Sequence, residues 1–230
     1  MTKELADGHY WVNDPGILID KPIRFVGDEN NPTNVVIEIS GSLQWSAKGG
    51  WVEGITFRRP KMTSGGKFVS LPILDVMESG KIDIICSVFD NDGSTGPVAN
   101  ISGSGNKGKW HDAVFRNGGS AGIKIDGEVQ VELNGCTIKG SRSDGLRAAN
   151  KANFSITKCT VEMNTGYGIH LTTQGCQAKL FRSFFKGNTK GVIRKESHCN
   201  ITSSGNVALV PFKPEKQIPG FKLTVQNSQR

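Results

Sequence analysis

The sequence lacks any hydrophobic run that approaches the ~18 apolar residues of a membrane-spanning helix, and its first ten residues lack the apolar core of a secretory signal peptide. Proline is scarce, with 9 residues in 230, and the 29 glycines follow no three-residue period, which excludes a collagen-like chain. Charged residues make up only 21% of the chain and hydrophobic residues 36%, a balance that excludes intrinsic disorder. We therefore predict a folded chain without a membrane span.

Cysteine occurs five times but never as a Cys-x-x-Cys pair. An odd number without paired spacing is typical of reduced thiols rather than of a disulfide framework. The four histidines likewise show no spacing typical of metal ligands, and no cofactor motif is found, so we predict no cofactor. From the thiols and the absent signal peptide we expect an intracellular, reducing compartment in preference to secretion.

Charge is unevenly distributed between the two halves. Residues 1–100 hold 9 Lys and Arg against 13 Asp and Glu, whereas residues 101–230 hold 19 against 8. A positive half indicates an acidic partner, although surface lysines are more often simply solvated. Nucleic acid is disfavoured as that partner, because the two Tyr and four Trp that could stack on bases lie mostly in the other half.

The sequence does contain an internal repeat. Glycine followed by an aliphatic residue recurs at a constant spacing of 23, in the pairs Gly122-Ile123, Gly145-Leu146, Gly168-Ile169 and Gly191-Val192. A second motif keeps nearly the same interval and extends upstream at wider spacing, as Ile55-Thr56-Phe57, Ser87-Val88-Phe89, Ala113-Val114-Phe115, Cys136-Thr137-Ile138, Cys159-Thr160-Val161 and Ser183-Phe184-Phe185. The last of these units holds one extra residue, which we expect to be recovered before Gly191. A fixed period of this length is typical of solenoids.

Apolar and polar residues alternate within each unit, as in Ile123-Lys124-Ile125 and Phe154-Ser155-Ile156. This period of two indicates strands with one buried face, and the spacing of an amphipathic helix is absent. Three short strands per unit predict a triangular coil in which equivalent side chains stack one rung apart. We predict an all-β fold, a single right-handed parallel β-helix over residues 1–209, followed by a C-terminal capping segment or tail over residues 210–230.

Two further columns follow from this register. Ser141, Asn164 and Asn188 fall at one turn position and predict a turn ladder, because asparagine tolerates left-handed turns and its amide can bond the rung above. Cys136 and Cys159 should lie one above the other in the core, where small thiols pack well.

The first coil resembles that of many right-handed β-helix proteins, whose pattern is G-x-Y…I-x-I-x-K-P-I-x-I-x-G…V-x-I. The matching segments are Gly8-His9-Tyr10-Trp11-Val12, residues 17–27 and Val35-Val36-Ile37-Glu38, and the likeness extends to about residue 209. Within that fold the sequence resembles the carbohydrate-binding and sugar-hydrolase type of repeat found in F-box proteins and in the Shc-binding protein. That resemblance implies a domain that binds proteins or glycans. The same pectin-lyase-like coil also carries polysaccharide lyases and hydrolases, so the fold leaves function open.

Carboxylates do not form the cluster that a hydrolase of this class needs. Asp112, Asp126 and Asp144 fall at different rung positions, and we predict no catalytic residue. Our first hypothesis is a non-catalytic recognition or scaffold module that binds a protein or acidic glycan partner along a sheet face. The alternative is a polysaccharide lyase or hydrolase of the pectin-lyase-like class.

A calcium-dependent lyase would need carboxylates around a cation. Asp90 and Asp92, in the segment Asp90-Asn91-Asp92-Gly93-Ser94, are the candidate metal ligands. The segment lacks the distal glutamate of a complete calcium loop, and we interpret it as a turn between rungs.

Basic residues form a candidate ligand-binding strip. Lys124, Arg147 and His170 share the outward position after the rung glycine, and they should project ~4.8 Å apart on one sheet. Like charges opposite one another are unfavourable unless an anion or solvent screens them. The strip therefore predicts a docking surface for an acidic partner.

Overall fold

The computed structural model describes residues 1–60, 69–210 and 223–227, which contain 27 β-strands and no helix. Strands that lie three places apart in the chain pair in parallel, so three strands complete one turn of the solenoid. The predicted all-β parallel solenoid is confirmed. Among the described residues, no helix meets the length and hydropathy that crossing a membrane requires.

Three parallel sheets run along the solenoid. The first contains β1 Thr2–Glu4, β4 Ile23–Val26, β7 Lys48–Glu53, β10 Lys81–Ile85, β13 Lys107–His111, β16 Gln130–Asn134, β19 Asn153–Thr157, β22 Gln177–Phe181 and β25 Asn200–Ser204. The second contains β2 Gly8–Val12, β5 Val35–Ile39, β8 Thr56–Arg58, β11 Val88–Asp90, β14 Val114–Arg116, β17 Thr137–Lys139, β20 Thr160–Glu162, β23 Phe184–Lys186, β26 Asn206–Val210 and β27 Leu223–Asn227. The third contains β3 Gly16–Ile19, β6 Ser42–Trp45, β9 Leu74–Val76, β12 Ala99–Ser102, β15 Ile123–Asp126, β18 Leu146–Ala149, β21 Tyr167–Leu171 and β24 Gly191–Lys195.

The corner between the first and second sheets depends on one backbone conformation. A residue with φ between +45° and +67° directly follows seven first-sheet strands, namely Gly54, Cys86, Asp112, Gly135, Lys158, Arg182 and Gly205. A single left-handed residue reverses the chain sharply, and only glycine adopts it without strain. Four of the seven are not glycine, so this turn left no glycine signature in the sequence.

Alternating burial along the strands produces one continuous core. In β16, for example, Val131 and Leu133 are buried while Gln130, Glu132 and Asn134 are exposed. Aromatic rings stack from rung to rung on the inner face of the second sheet. Phe89 lies 5.4 Å from Phe57 and 5.3 Å from Phe115 between ring centroids, with planes inclined by 8° and 6°. Offset aromatic stacking of this kind adds to the free energy gained by burial.

The predicted register is confirmed over most of the chain, since Ile123 pairs with Leu146 and Leu146 with Ile169. The expectation that the extra residue is recovered before Gly191 is wrong. Ile169 pairs with Ile193 rather than with Val192, which keeps a spacing of 24 through β24. The spacing of 23 returns only where β22 pairs with β25.

The predicted turn ladder is confirmed. The backbone N–H of Ser141 donates to Asn164 Oδ1 at 3.0 Å, and Asn164 Nδ2 donates to Asn188 Oδ1 at 2.9 Å. Cys136 and Cys159 are free and buried, as expected. The hydrogen bond between the two thiols, together with burial, raises the pKa of Cys136.

The predicted capping segment, residues 210–230, lies mostly outside the described residues. Within it, β27 pairs in parallel with β26 and so adds one strand to the last rung of the second sheet. A strand in this position covers part of an edge that would otherwise present unpaired backbone groups.

Candidate functional site

The outer face of the third sheet carries one column of side chains that changes character along the solenoid. Strand pairing aligns Leu18, Gln44, Asp75, Asn100, Lys124, Arg147, His170 and Arg194. The column is apolar, polar or acidic from β3 to β12 and basic from β15 to β24. The predicted common register of Lys124, Arg147 and His170 is confirmed, and their role in binding stays a prediction. We call these three residues with Arg194 the cationic ladder.

Arg194 was missed by the sequence analysis because of the register error in the last rung. With the expected spacing of 23, the residue after His170 in the column would be Ile193, whereas the observed spacing of 24 places Arg194 there. The signal was present, since the neighbouring column already showed a spacing of 24 from Cys159 to Ser183.

His170 is held in place by Asp144, which lies just before β18. His170 Nδ1 is 2.9 Å from Asp144 Oδ2, and Asp144 Oδ1 accepts the backbone N–H of Tyr167 at 2.8 Å. The side chain of Asp144 is 7% exposed and that of His170 is 16% exposed. The ring is therefore sheltered and oriented, unlike the freely projecting side chain that the sequence suggested. Because Nδ1 faces a carboxylate, it carries the hydrogen and leaves Nε2 available to a ligand.

Tyr167 and Arg194 complete a cluster around His170. The Tyr167 ring centroid lies 5.6 Å from that of His170, and the Arg194 guanidinium carbon lies 5.9 Å from the Tyr167 ring centroid. The residues come from adjacent strands, β21 and β24. An oriented imidazole, a phenol and a guanidinium are thus brought together, a combination that no spacing rule in the sequence predicted.

The other two members of the cationic ladder are more open. Lys124 Nζ lies 3.7 Å from Asp126 Oδ2, with its side chain 45% exposed, so the contact is a weak surface ion pair. Arg147 is exposed and forms no ion pair with any residue in the described part of the chain. The centre of the ladder therefore carries an unneutralised guanidinium.

A family model, described as the right handed beta helix region, matches residues 74–208, which is more than half of the sequence. The chain belongs to this β-helix family. The match spans β9 to β26 and includes the whole cationic ladder. It also confirms the predicted right-handed coil.

Solved structures similar to this β-helix include an epimerase module and a lyase. The A-module of the mannuronan C-5 epimerase AlgE4 from Azotobacter vinelandii aligns over 91% of this chain and 72% of that chain, with a TM-score of 0.58 and 11% identity. The pectate lyase Pel9A aligns over 99% and 68%, with a TM-score of 0.47 and 12% identity. At 11% identity the likeness to the epimerase module shows the fold alone, and no conclusion is drawn from the likeness to the lyase. No curated protein was found to match the sequence.

Asp90, one of the two candidate metal ligands of this β-helix, is engaged by neighbouring groups, and its Oδ1 also accepts the backbone N–H of Asp92 at 3.3 Å. Asp90 Oδ2 accepts from Arg116 Nε at 2.7 Å, and its Oδ1 accepts from Asn117 Nδ2 at 2.8 Å. Asp92 is exposed in the turn that follows β11, which agrees with the interpretation of the segment as a turn. No group of three or more potential metal ligands occurs among the residues that the structure describes. A cation at Asp90 and Asp92 stays a prediction.

Proposed function

We propose that this β-helix is a recognition module that binds an acidic polysaccharide along the cationic ladder of the third sheet. The observation that carries the proposal is the stacking of four basic side chains in successive rungs, in which Arg147 forms no ion pair with any described residue. Neighbouring rungs are ~4.8 Å apart, so the ladder places a basic side chain at short, regular intervals. A polymer with one carboxylate or sulfate on each sugar presents the complementary pattern.

The composition of the cationic ladder favours a glycan over a protein partner. Protein interfaces depend on buried aromatic and aliphatic anchors. The exposed large hydrophobic residues among the described ones are Met1, Trp11, Leu18, Leu71, Met77 and Met163, and none of them belongs to the cationic ladder. A flat, charged surface with Tyr167 as its aromatic side chain is better suited to a polar, extended ligand.

The test is a binding titration against alginate, polygalacturonate and heparin, compared with the neutral polymer dextran. Lys124→Glu combined with Arg147→Glu should weaken binding at least about tenfold, since each reversed charge changes a contact energy of ~1 kcal/mol. Binding by the native protein should also weaken as salt is raised, because exposed charges are screened over ~10 Å at 0.1 M. The folding stability of the double variant should hardly change.

The matched control is Lys158→Glu combined with Arg182→Glu. These two residues are also exposed and also lie one rung apart, but they stand at the corner between the first and second sheets. The control makes the same change in net charge. If it weakens binding as much as the ladder variant does, only overall charge matters and the proposed face is wrong. If no acidic polysaccharide binds while an acidic protein does, the partner is a protein.

The cluster around His170 favours a second candidate, a polysaccharide lyase acting on uronates. The favouring observation is the 2.9 Å contact that orients His170 against Asp144. In such a reaction His170 Nε2 would take the proton next to the uronate carboxylate, and Arg147 or Arg194 would neutralise that carboxylate. The C–H electrons would form the double bond, and the departing glycosidic oxygen would take a proton from Tyr167.

Turnover separates the two candidates. The native protein is incubated with polymannuronate and polygalacturonate, and the absorbance of the unsaturated product is followed. A lyase should lose activity at least a hundredfold on His170→Asn, since general bases contribute about 10²–10⁴-fold. Asp144→Asn should also reduce activity, because Asp144 orients that base. Tight binding without product would leave recognition as the function.

A further inference from the structure

A second cationic site lies on the outer face of the first sheet, away from the cationic ladder. It is a depression with a volume of about 320 Å³. Its lining residues come from β7, β10, β13 and β16, and they are Lys48, Gly49, Gly50, Lys81, Asp83, Lys107, Gly108, Lys109, Gln130 and Glu132. We call this feature the lysine depression. The volume lies at the lower end of the ~300–1,000 Å³ found for small-molecule sites, which suits a ligand about the size of one sugar.

A β-bulge and missing side chains create the depression. Lys81 pairs with Lys48 and Asp83 with Trp51, so two glycines of β7 stand opposite one residue of β10. Gly50 has φ +111°, and a Cβ there would meet the Ile23 carbonyl oxygen at 2.3 Å. A Cβ on Gly49, in contrast, would find no heavy atom within 4 Å and would enter the depression. Bulges of this kind occur frequently next to functional sites.

Four lysines surround the depression. Lys48, Lys81 and Lys107 are paired in successive rungs, and Lys109 lies two residues further along β13. All four are exposed, and none forms an ion pair with a residue of the described ranges 1–60, 69–210 and 223–227. Three like charges placed directly opposite one another are unfavourable unless an anion joins them.

Arginines in the same part of the solenoid behave differently. Arg24 bonds Glu53 at 3.0 Å and Arg116 bonds Asp90 at 2.7 Å, each across one rung. Neutralisation by a neighbouring rung is therefore common where the solenoid uses a cation for its own stability. The lysines of the depression lack such partners within the described ranges, so their charges stay open to an external anion.

We propose that the lysine depression binds a monosaccharide-sized ligand that carries a phosphate or sulfate ester. The stacked lysines would contact the oxyanion, since a tetrahedral ester offers three strong acceptor oxygens to several ammonium donors. A carboxylate offers only two oxygens. On the other side, Asp83 and Glu132 supply acceptors for sugar hydroxyls, with Gln130 beside them.

The site is independent of the cationic ladder. Its residues belong to the first sheet, and the ladder belongs to the third, so a substitution in one leaves the side chains of the other untouched. The ligands also differ, because the ladder suits an extended polymer and the depression a compact ester. The two proposals can therefore fail separately.

The experiment is calorimetric titration of the native protein with glucose 6-phosphate and with glucosamine 6-sulfate, which distinguishes the two esters. Glucose, galacturonate and inorganic phosphate serve as comparison ligands. One or both sugar esters should bind at least tenfold more tightly than these three. Failure of both esters to bind would overturn the proposal. Equal affinity for inorganic phosphate would show that the depression binds the oxyanion alone and does not recognise the sugar.

Two variants locate the binding. Lys81→Gln combined with Lys107→Gln should reduce affinity for the ester at least tenfold, and both positions are exposed strand residues whose substitution leaves the core intact. Gly49→Leu keeps all four charges but fills the depression, and it should abolish binding, whereas Gly49→Ala should reduce it less. Lys158→Gln with Arg182→Gln is the charge-matched control. Unchanged affinity in the lysine variant, or an equal loss in the control, would place the ligand elsewhere.

Discussion

Substitution of Asn164 tests whether the hydrogen bonds of the turn ladder stabilise the solenoid. The side chain of Asn164 is fully buried and makes three hydrogen bonds: it accepts from the Ser141 N–H at 3.0 Å and donates to the Ile138 carbonyl oxygen at 3.4 Å and to Asn188 Oδ1 at 2.9 Å. Asn164→Ala removes all three. The Ser141 N–H is buried and would have no remaining acceptor in the described structure.

The magnitude follows from these contacts. A stranded buried N–H costs ~1–3 kcal/mol, and each of the other two bonds contributes ~0.5–1.5 kcal/mol net. We therefore expect Asn164→Ala to lower the free energy of unfolding by ~3 kcal/mol. For a chain of this length, each kcal/mol shifts Tm by ~2–4 °C, so Tm should fall by ~6–12 °C.

Urea and thermal unfolding followed by far-UV circular dichroism measure the loss. Asn134→Ala is the matched control, because Asn134 is exposed on β16 and its side chain does not bridge rungs in the described structure. Asn164→Asp keeps the acceptor for Ser141 but loses the donor, and it should be destabilised at least as much as the alanine variant. If Asn164→Ala changes the free energy of unfolding by less than ~0.5 kcal/mol, the low end for one net hydrogen bond, the ladder is refuted as a source of stability.

The remaining predictions concern the core and its thiols. Ile138 is fully buried, so Ile138→Asp should abolish folding, because an unpaired buried carboxylate costs several kcal/mol against a total of ~5–15; a soluble variant with unchanged Tm would contradict the core assignment. Cys136 and Cys159 should resist thiol reagents until denaturant is added, and rapid labelling of the native protein would show that their column is not interior. Cys86, which is partly exposed, should label first. Burial and the nearby carboxylates raise the pKa of Cys86 from 9.0, so its labelling should keep accelerating above that pH.

Much of the fold was predictable because each turn of a solenoid repeats the same three short strands. Alternation of period two revealed the strands, and the constant spacing of 23 aligned Ile123 with Leu146 and Ile169 without any long-range information. The prediction failed where turn length changed by one residue. Side chains point to opposite faces at successive positions, so that one residue exchanged Ile193 for Arg194 in the outward column.

The candidate sites were less predictable, because they join residues that are not equivalent in the repeat. Asp144 contacts His170 at a sequence separation of 26, three residues more than the period of 23. A comparison of residues one period apart therefore does not pair them. The lysine depression was hidden for another reason. Its stacked lysines follow one another at unequal spacings, from Lys48 to Lys81 and from Lys81 to Lys107, because loops and a bulge interrupt the period in that region.

The distribution of net charge along the sequence also did not predict the lysine depression. Residues 1–100 carry more acidic than basic residues, and that balance predicted an acidic partner only for the other half. Arg24 and Arg58 in this half are paired with Glu53 and Glu38. The stacked lysines of β7 and β10 have no such partner in the described structure and keep their charge on the surface. Because the field near a surface depends on which charges are neutralised within a few ångströms, the acidic half still contributes two lysines unpaired among the described residues, Lys48 and Lys81, to a site that it shares with the basic half.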